Sequence, residues 1–150
     1  MTSQNKYILY DTSAYWVNKL NSLVIGQLEK EMNSMELTAS QWTILIPLLG
    51  GKIKTPQRLA KHVGIDKSAV TRILGRLEKK GFIYKKRDPQ NGRYCFIELT
   101  EKAKGIAPRL ILASQKCDSR LFDSLSSEEK FMFKAIINKM LRNIEVSVYI

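Results

Sequence analysis

Six side chains between positions 67 and 79 are suited to hydrogen bonding with another macromolecule: Lys67, Ser68, Thr71, Arg72, Arg76 and Lys79. A guanidinium makes two parallel hydrogen bonds to O6 and N7 of guanine, and short hydroxyls suit base edges or phosphate oxygens. On a helix that starts at Lys67 and advances about 100° per residue, Ser68, Thr71, Arg72, Gly75 and Lys79 fall within roughly 40–140°. Val70, Ile73, Leu74 and Leu77 fall within roughly 240–340°, on the other side. The helix would then turn an apolar face to a core and a face of hydroxyls and cations to a partner. Gly75 costs about 1 kcal/mol of helix propensity relative to alanine. Close approach of its backbone to a groove wall would offset that cost.

Such a helix needs neighbours that hold it. Asp66 caps its start and complements its positive end. Before it, Thr55 is an N-cap and Pro56 takes the first helical position, where no N–H is needed. Leu59, Ala60 and Val63 give that earlier helix a buried stripe. Gly64 ends it in the left-handed conformation, and Ile65 is expected to plug the turn. The second helix runs from Lys67 to about Lys80 and stops at Gly81. Phe82 to Lys86 has strand composition, and Asp88 to Gly92 is dense in turn formers, with Asn91-Gly92 the strongest hairpin signal. Tyr94 to Leu99 returns as a second strand, with Cys95, Ile97 and Leu99 on one face. Arg87 and Arg93 flank the tip. A helix, a tight turn, a second helix and a basic hairpin outline a winged helix-turn-helix, which lays its second helix in the DNA major groove. The expected DNA contacts are Thr55, Gln57, Lys67, Ser68, Thr71, Arg72, Arg76, Lys79, Arg87, Asn91 and Arg93.

Charge supports this assignment. The 150-residue chain carries a formal charge of +11. Residues 52–93 hold 13 Lys+Arg and 3 Asp+Glu, a net of +10. Residues 1–51 come to −1 and residues 94–150 to +2. A soluble protein, or an adaptor that binds only other proteins, has no reason to concentrate charge in this way, whereas a polyanion-binding surface does.

The flanking segments read as helices, so the fold class is mainly α with a small β-hairpin wing (α+β). One runs from about Asp11 or Thr12 to about Ser34, with Ala14, Val17, Leu20, Leu23, Val24, Leu28 and Met32 at helical spacing. Its length implies that part of it packs outside its own globule. Thr38 and Gln41 form a capping box that opens a helix with Trp42, Leu45, Ile46 and Leu49 as its expected apolar face. Pro47 should kink or shorten that helix. Ile53 is expected to supply a brief edge strand beside the wing. A helix from Thr100 to about Leu121 should bend at Pro108. Ser126 and Glu129 form a second capping box, opening a helix to about Val146. There Phe131, Phe133, Ile136, Ile137, Met140, Leu141 and Ile144 make an apolar surface wider than one stripe, which suggests a partner. The chain thus divides into a DNA-binding module at residues 36–100 and a helical dimerisation region at residues 11–34 with 101–148, within a single domain. Interleaved terminal helices would pair two copies, so that two recognition helices meet half-sites about 34 Å apart.

The runs DKSAVTR (Asp66 to Arg72) and RLEKKGFI (Arg76 to Ile83), then Arg87-Asp88-Pro89 and LTEK (Leu99 to Lys102), resemble the signature of the MarR family. These are bacterial winged helix-turn-helix transcriptional regulators. The resemblance covers helix order, the long first helix, LSSEE (Leu125 to Glu129) and chain length. It implies a homodimer on a short inverted-repeat operator in double-stranded DNA, commonly acting as a repressor, with Arg93 entering the minor groove. The family's wing commonly reads Asp-Arg-Arg or Asp-Lys-Arg; this chain has Asn91-Gly92-Arg93, one acid and one base fewer. Many members release DNA on binding aromatic acids or other phenolic compounds in a crevice beside the dimer helices. Tyr15, Trp16 and Trp42 are the candidate lining, against a plain role as core aromatics.

Other chemistry is poorly represented. A lone histidine, His62, excludes a multi-histidine zinc cluster. No P-loop, G-x-S-x-G or C-x-x-C occurs, so neither an enzyme nor a cofactor is expected. Cys95 and Cys117 read as small buried hydrophobes. The alternative is a thiol-based redox-sensing regulator. A further alternative is a low-specificity architectural or anti-silencing DNA-binding protein. No signal peptide or run of about 18 apolar residues is present, which fits the cytoplasm and no membrane.

Overall fold

Residues 11–92 and 95–144 are described by a computed structural model. In chain order they form α1 (Ser13–Met32), a 3₁₀ turn (Asn33–Met35), α2 (Ala39–Leu49), α3 (Pro56–Val63), α4 (Lys67–Lys79), β1 (Ile83–Arg87), β2 (Cys95–Leu99), α5 (Glu101–Phe122) and α6 (Ser127–Asn143). Six helices and a two-stranded antiparallel hairpin match the expected fold class.

Local chemistry sets most boundaries. Thr12, Thr38, Thr55, Asp66, Thr100 and Ser126 each cap a helix with a side-chain oxygen. Thr38/Gln41 and Ser126/Glu129 both form complete capping boxes. Gly64 and Gly81 follow α3 and α4 with φ of 75° and 76°. In that region a β-carbon would crowd the carbonyl, so glycine ends both helices of the motif without strain. The hairpin pairs Ile83 with Leu99 and Arg87 with Cys95.

The main core lies within and directly beneath the winged module. Leu59 from α3, Val70, Leu74 and Leu77 from α4, Ile44 and Leu45 from α2, and Phe82, Ile83 and Ile97 from the hairpin region are buried together. Met32 from the end of α1 and Ala103 and Leu110 from α5 close it. A smaller cluster of Leu28, Ala39 and Cys117, with Val24, Ile25 and Trp42 against it, joins α1, α2 and α5.

Several expectations need correction. The buried face of α2 is centred on Ile44, Leu45 and Leu48, while Trp42, Ile46 and Leu49 are only partly buried. This helix is apolar on most sides, so periodicity could not choose the face. Pro47 sits inside α2, which ends two residues later. Pro108 lies within an unbroken α5 that extends to Phe122. Ile53 forms no third strand among the described residues; the Lys54 carbonyl instead accepts one hydrogen bond from the Ile97 N–H, at 2.7 Å. Ile65 does not plug the turn, being 36% exposed. The expected helical end at Val146 lies outside the described residues, as do Tyr94 and the first ten positions.

Candidate nucleic-acid interface

Helix α4 is presented by burial of one side. Val70, Leu74 and Leu77 have no exposed surface, and α2 and α3 pack against the helix. Lys67, Ser68, Thr71, Arg72, Arg76 and Lys79 are all exposed. The predicted division of the helix into two faces is therefore present. A β-carbon added at Gly75 would meet nothing within 4 Å, so packing inside the chain does not demand a glycine there.

Hydrogen bonding at the start of α4 defines what its hydroxyls can offer. The Asp66 carboxylate accepts the Ala69 N–H at 2.9 Å and the Ser68 hydroxyl through a short contact. The Thr71 hydroxyl donates to the Lys67 carbonyl at 2.8 Å. Both protons point back into the helix, leaving oxygen lone pairs outward to accept from base amino groups. The Ser68 hydroxyl, followed by the Ala69 N–H, holds the Asp66 carboxyl below its ordinary value of 3.8, with a smaller contribution from the Arg72 charge. The N-cap is thus an anion at neutral pH and stabilises the positive end of the helix dipole. The cations available to bases or phosphates are then Lys67, Arg72, Arg76 and Lys79.

Beside α4, a groove of about 910 Å³ runs between the start of α3 and β2. Lys52, Lys54, Arg58, Lys61 and Lys67 line it, together with Thr55 and Gln57. Lys67 also borders a shallower hollow with Ser68, Thr71 and Arg72, so the two surfaces are continuous. Thr55 spends its side-chain oxygen on the Arg58 N–H at 3.3 Å, while Gln57 is exposed. The sequence assignment missed Lys52, Lys54, Arg58 and Lys61. Their signal was the local charge excess, which gives a total but not a direction.

The wing is less completely described. Arg87 and Asn91 are exposed, and the Asp88 carboxylate accepts the Gln90 N–H at 2.9 Å within the turn. Arg93 lies outside the described residues. Lys85 pairs with Glu78 of α4 at 3.0 Å, tying the exposed face of the helix to β1.

The three proposed ligand-lining aromatics do not form one cluster in the single chain. Tyr15 and Trp16 are exposed on the first turn of α1 and stack edge to face at 5.5 Å. Trp42 lies two to three turns farther along α1, against Val24, Ile25 and Leu28. Its indole N–H donates to Ser114 Oγ of α5 at 3.1 Å. Cys117 is buried, and burial, followed by the Asp118 charge, pushes its thiol pKa up. A raised pKa lowers the thiolate fraction and so its reactivity. Cys95 is half-buried, against expectation, and borders the basic groove. Among the described residues no cluster of His, Cys, Asp and Glu could hold a metal, and no helix is long and apolar enough to cross a membrane.

Residues 37–94 match the MarR family model. The HTH-type transcriptional regulator YybA of Bacillus subtilis (strain 168) is 28% identical over 115 residues, covering 77% of this chain and 77% of that protein. Among solved structures, a cysteine-to-serine mutant of MarR from E. coli complexed with operator DNA superposes with a TM-score of 0.80 at 23% identity, covering 94% of this chain and 99% of that one. BpsR of Bordetella bronchiseptica, studied for regulation of its DNA binding by 6-hydroxynicotinic acid, superposes at 0.79 with 17% identity, covering 87% and 94%. At such identities the structural likeness speaks for the fold.

Proposed function

This chain belongs to the MarR family of DNA-binding transcriptional regulators, and from that premise we propose that it is a sequence-specific repressor acting as a homodimer on an inverted-repeat operator. The observation that carries the proposal is the exposed face of α4, where Lys67, Ser68, Thr71 and Arg72 adjoin a groove lined by Lys52, Lys54, Arg58 and Lys61. Groove cations neutralise phosphates and fix register, while Arg72 and the hydroxyl oxygens read base edges. Arg87, Asn91 and Arg93 belong to the wing's share of the contact, Arg93 on the strength of the family resemblance.

Apolar surface on the long helices supports the dimer. Helix α6 buries none of its residues, and Phe131 is 77% and Ile144 70% exposed. Trp16, Val17, Leu20 and Leu23 of α1 and Ile111 and Leu112 of α5 are exposed as well. So much apolar surface left exposed on the long helices and α6 fits a second copy of the chain.

Release by an aromatic acid is the regulatory part of the proposal. Trp42 packs where the winged module meets α1 and α5, the region a ligand must wedge to change the spacing of two recognition helices. Such a ligand acts by population shift, removing the dimer from DNA in proportion to its preference for the splayed form.

The test is binding to DNA upstream of the protein's own gene, against a scrambled duplex of equal composition, at several salt concentrations. A preference of about 10³-fold or more near physiological salt is expected. Equal, steeply salt-dependent binding to this duplex, to its scramble and to fragments selected from the genome would refute sequence specificity and leave an architectural role. Salicylate added to the specific complex probes release. Retention of the complex at millimolar salicylate, and with a panel of other aromatic acids, would remove that part of the proposal. If peroxide releases DNA from the wild type but not from a Cys95→Ser, Cys117→Ser double variant, a thiol and not an aromatic acid is the switch.

A further inference from the structure

The far end of the recognition helix is bonded to the turn that follows α1, to α2 and to the start of α5. Lys80 is the C-cap of α4, about thirteen residues and about 20 Å along the helix from Lys67. Its ammonium turns back into the protein, donating to the Glu36 carbonyl at 2.5 Å and to Gln41 Oε1 at 3.1 Å. Glu36 ends the 3₁₀ turn that follows α1, with φ of 56°, the sole positive φ of a non-glycine among the described residues. Gln41 is 3% exposed, and its Oε1 also accepts the Thr38 N–H of the α2 capping box. On the other side, the Lys80 carbonyl accepts from Lys102 Nζ at 2.7 Å, and the Gly81 carbonyl accepts from Thr100 Oγ1 at 2.6 Å. Thr100 is the N-cap of α5.

Two consecutive peptide carbonyls thus tie the end of α4 to the start of α5, while the Lys80 ammonium ties it to the turn that follows α1 and to α2. Only a long side chain with several donors at its tip serves both the Glu36 carbonyl and Gln41 Oε1; lysine has three. This ammonium faces away from the exposed contact side chains, so its function differs from that of the groove cations. Glu36, whose carbonyl accepts from this ammonium, holds a left-handed backbone that a non-glycine residue adopts at a cost.

We infer that Lys80 is a positioning residue, which fixes the angle of the recognition helix against the long helices and so sets the half-site spacing that the dimer accepts. The inference rests on the dimeric, inverted-repeat reading above. Coupling passes through a direct hydrogen-bonded link, in which a change of angle of α4 against α2 and the turn that follows α1 must break or stretch the bonds to Gln41 and Glu36. A dimer with these bonds intact tolerates one spacing; without them the module rocks and tolerates several.

The experiment uses the full chain and the operator identified by the binding test. Duplexes carry the natural spacing between half-sites, or one base pair more or fewer. For the wild type, affinity should fall by about tenfold or more on the altered duplexes, since one base pair shifts and rotates a half-site. In Lys80→Met the penalty should shrink to about threefold or less, with the salt slope on the natural operator unchanged. Lys80→Arg, which keeps donors at the tip, should restore most of the penalty. A wild-type penalty that persists in full in Lys80→Met, even with a lowered Tm, overturns the inference and leaves Lys80 a stabilising residue only. A salt slope lowered by about 1 overturns it in favour of a phosphate contact. If Lys80→Met does not fold, Lys80→Gln decides by the same outcomes. A wild type indifferent to spacing overturns the inverted-repeat dimer and the positioning role with it, whereas a spacing-sensitive wild type with an equally sensitive variant overturns the positioning role alone.

Discussion

The winged module and the long helices bury their apolar residues differently. Helix α4 sinks Val70, Leu74 and Leu77 completely, and α2 sinks Ile44 and Leu45. Helix α1 buries only Leu28 and Met32 of its twenty residues, and α6 buries none. Yet α6 is also rich in apolar side chains, carrying Phe131, Met132, Ile136 and Met140 at 39–77% exposure. Neighbouring elements of the same chain complete the first region. In the second, α1 and α5 share the small cluster of Leu28 and Cys117 and polar ties such as Arg120 to Glu31 at 3.2 Å, while Phe133 of α6 meets Phe122 edge to face at 5.3 Å. Exposed ion pairs of that kind contribute little. Apolar area has value only where water is excluded, so the contrast separates a region enclosed by its own neighbours from one that leaves apolar surface open to solvent.

The largest expected effect lies in the module. Leu74→Ala should destabilise the protein by about 2–5 kcal/mol in urea unfolding, because it leaves a cavity in a fully enclosed site. A cost below about 1 kcal/mol would contradict a tightly packed module. Ile136→Asp should act on the other side of the contrast, weakening self-association about tenfold or more in sedimentation while the far-UV spectrum stays native. A variant that unfolds as Leu74→Ala does would mean that α6 is core and not interface. Arg72→Ala should then cost about 1–3 kcal/mol of operator affinity and relax preference at particular base pairs, with stability unchanged. Undiminished affinity and preference would show that the reading face is wrongly assigned.

Smaller effects belong to the caps. Thr55→Ala should cost about 1 kcal/mol, measured by urea unfolding, through loss of the oxygen that accepts the Arg58 N–H. The Asp66 pKa is lowered in the fold, so its contribution is present above the unfolded value near 3.8 and is lost as pH falls through the folded value. Asp66→Asn keeps a capping oxygen but not the charge, so its stability should decline less steeply than that of the wild type on acidification below about pH 5. Parallel acid profiles would show that the Asp66 charge plays no part.

What the sequence by itself determined is local. Thr55 with Pro56, Asp66 before Lys67, Thr38 with Gln41, Ser126 with Glu129, and Gly64 and Gly81 act within a turn of helix, so residue type and spacing were enough to place the helix ends and with them the order of the fold. The exposed face of α4 was legible for a similar reason, because a strong apolar stripe fixes its opposite. The family signature extended that reading to a DNA-binding transcriptional regulator. Where residues distant in the chain must meet, tertiary structure decided. Helix α2 is apolar on most sides, and only its neighbours selected Ile44 and Leu48 over Trp42 and Leu49. Lys54 touches the wing through one carbonyl, which no strand propensity at Ile53 could foretell. The direction of Lys52, Lys54, Arg58 and Lys61 into one groove, and of Lys80 away from it toward Glu36 and Gln41, depends on where a flexible side chain finds its acceptors. Charge along a sequence counts such residues alike; the fold separates those facing a partner from the one that holds the helix in place.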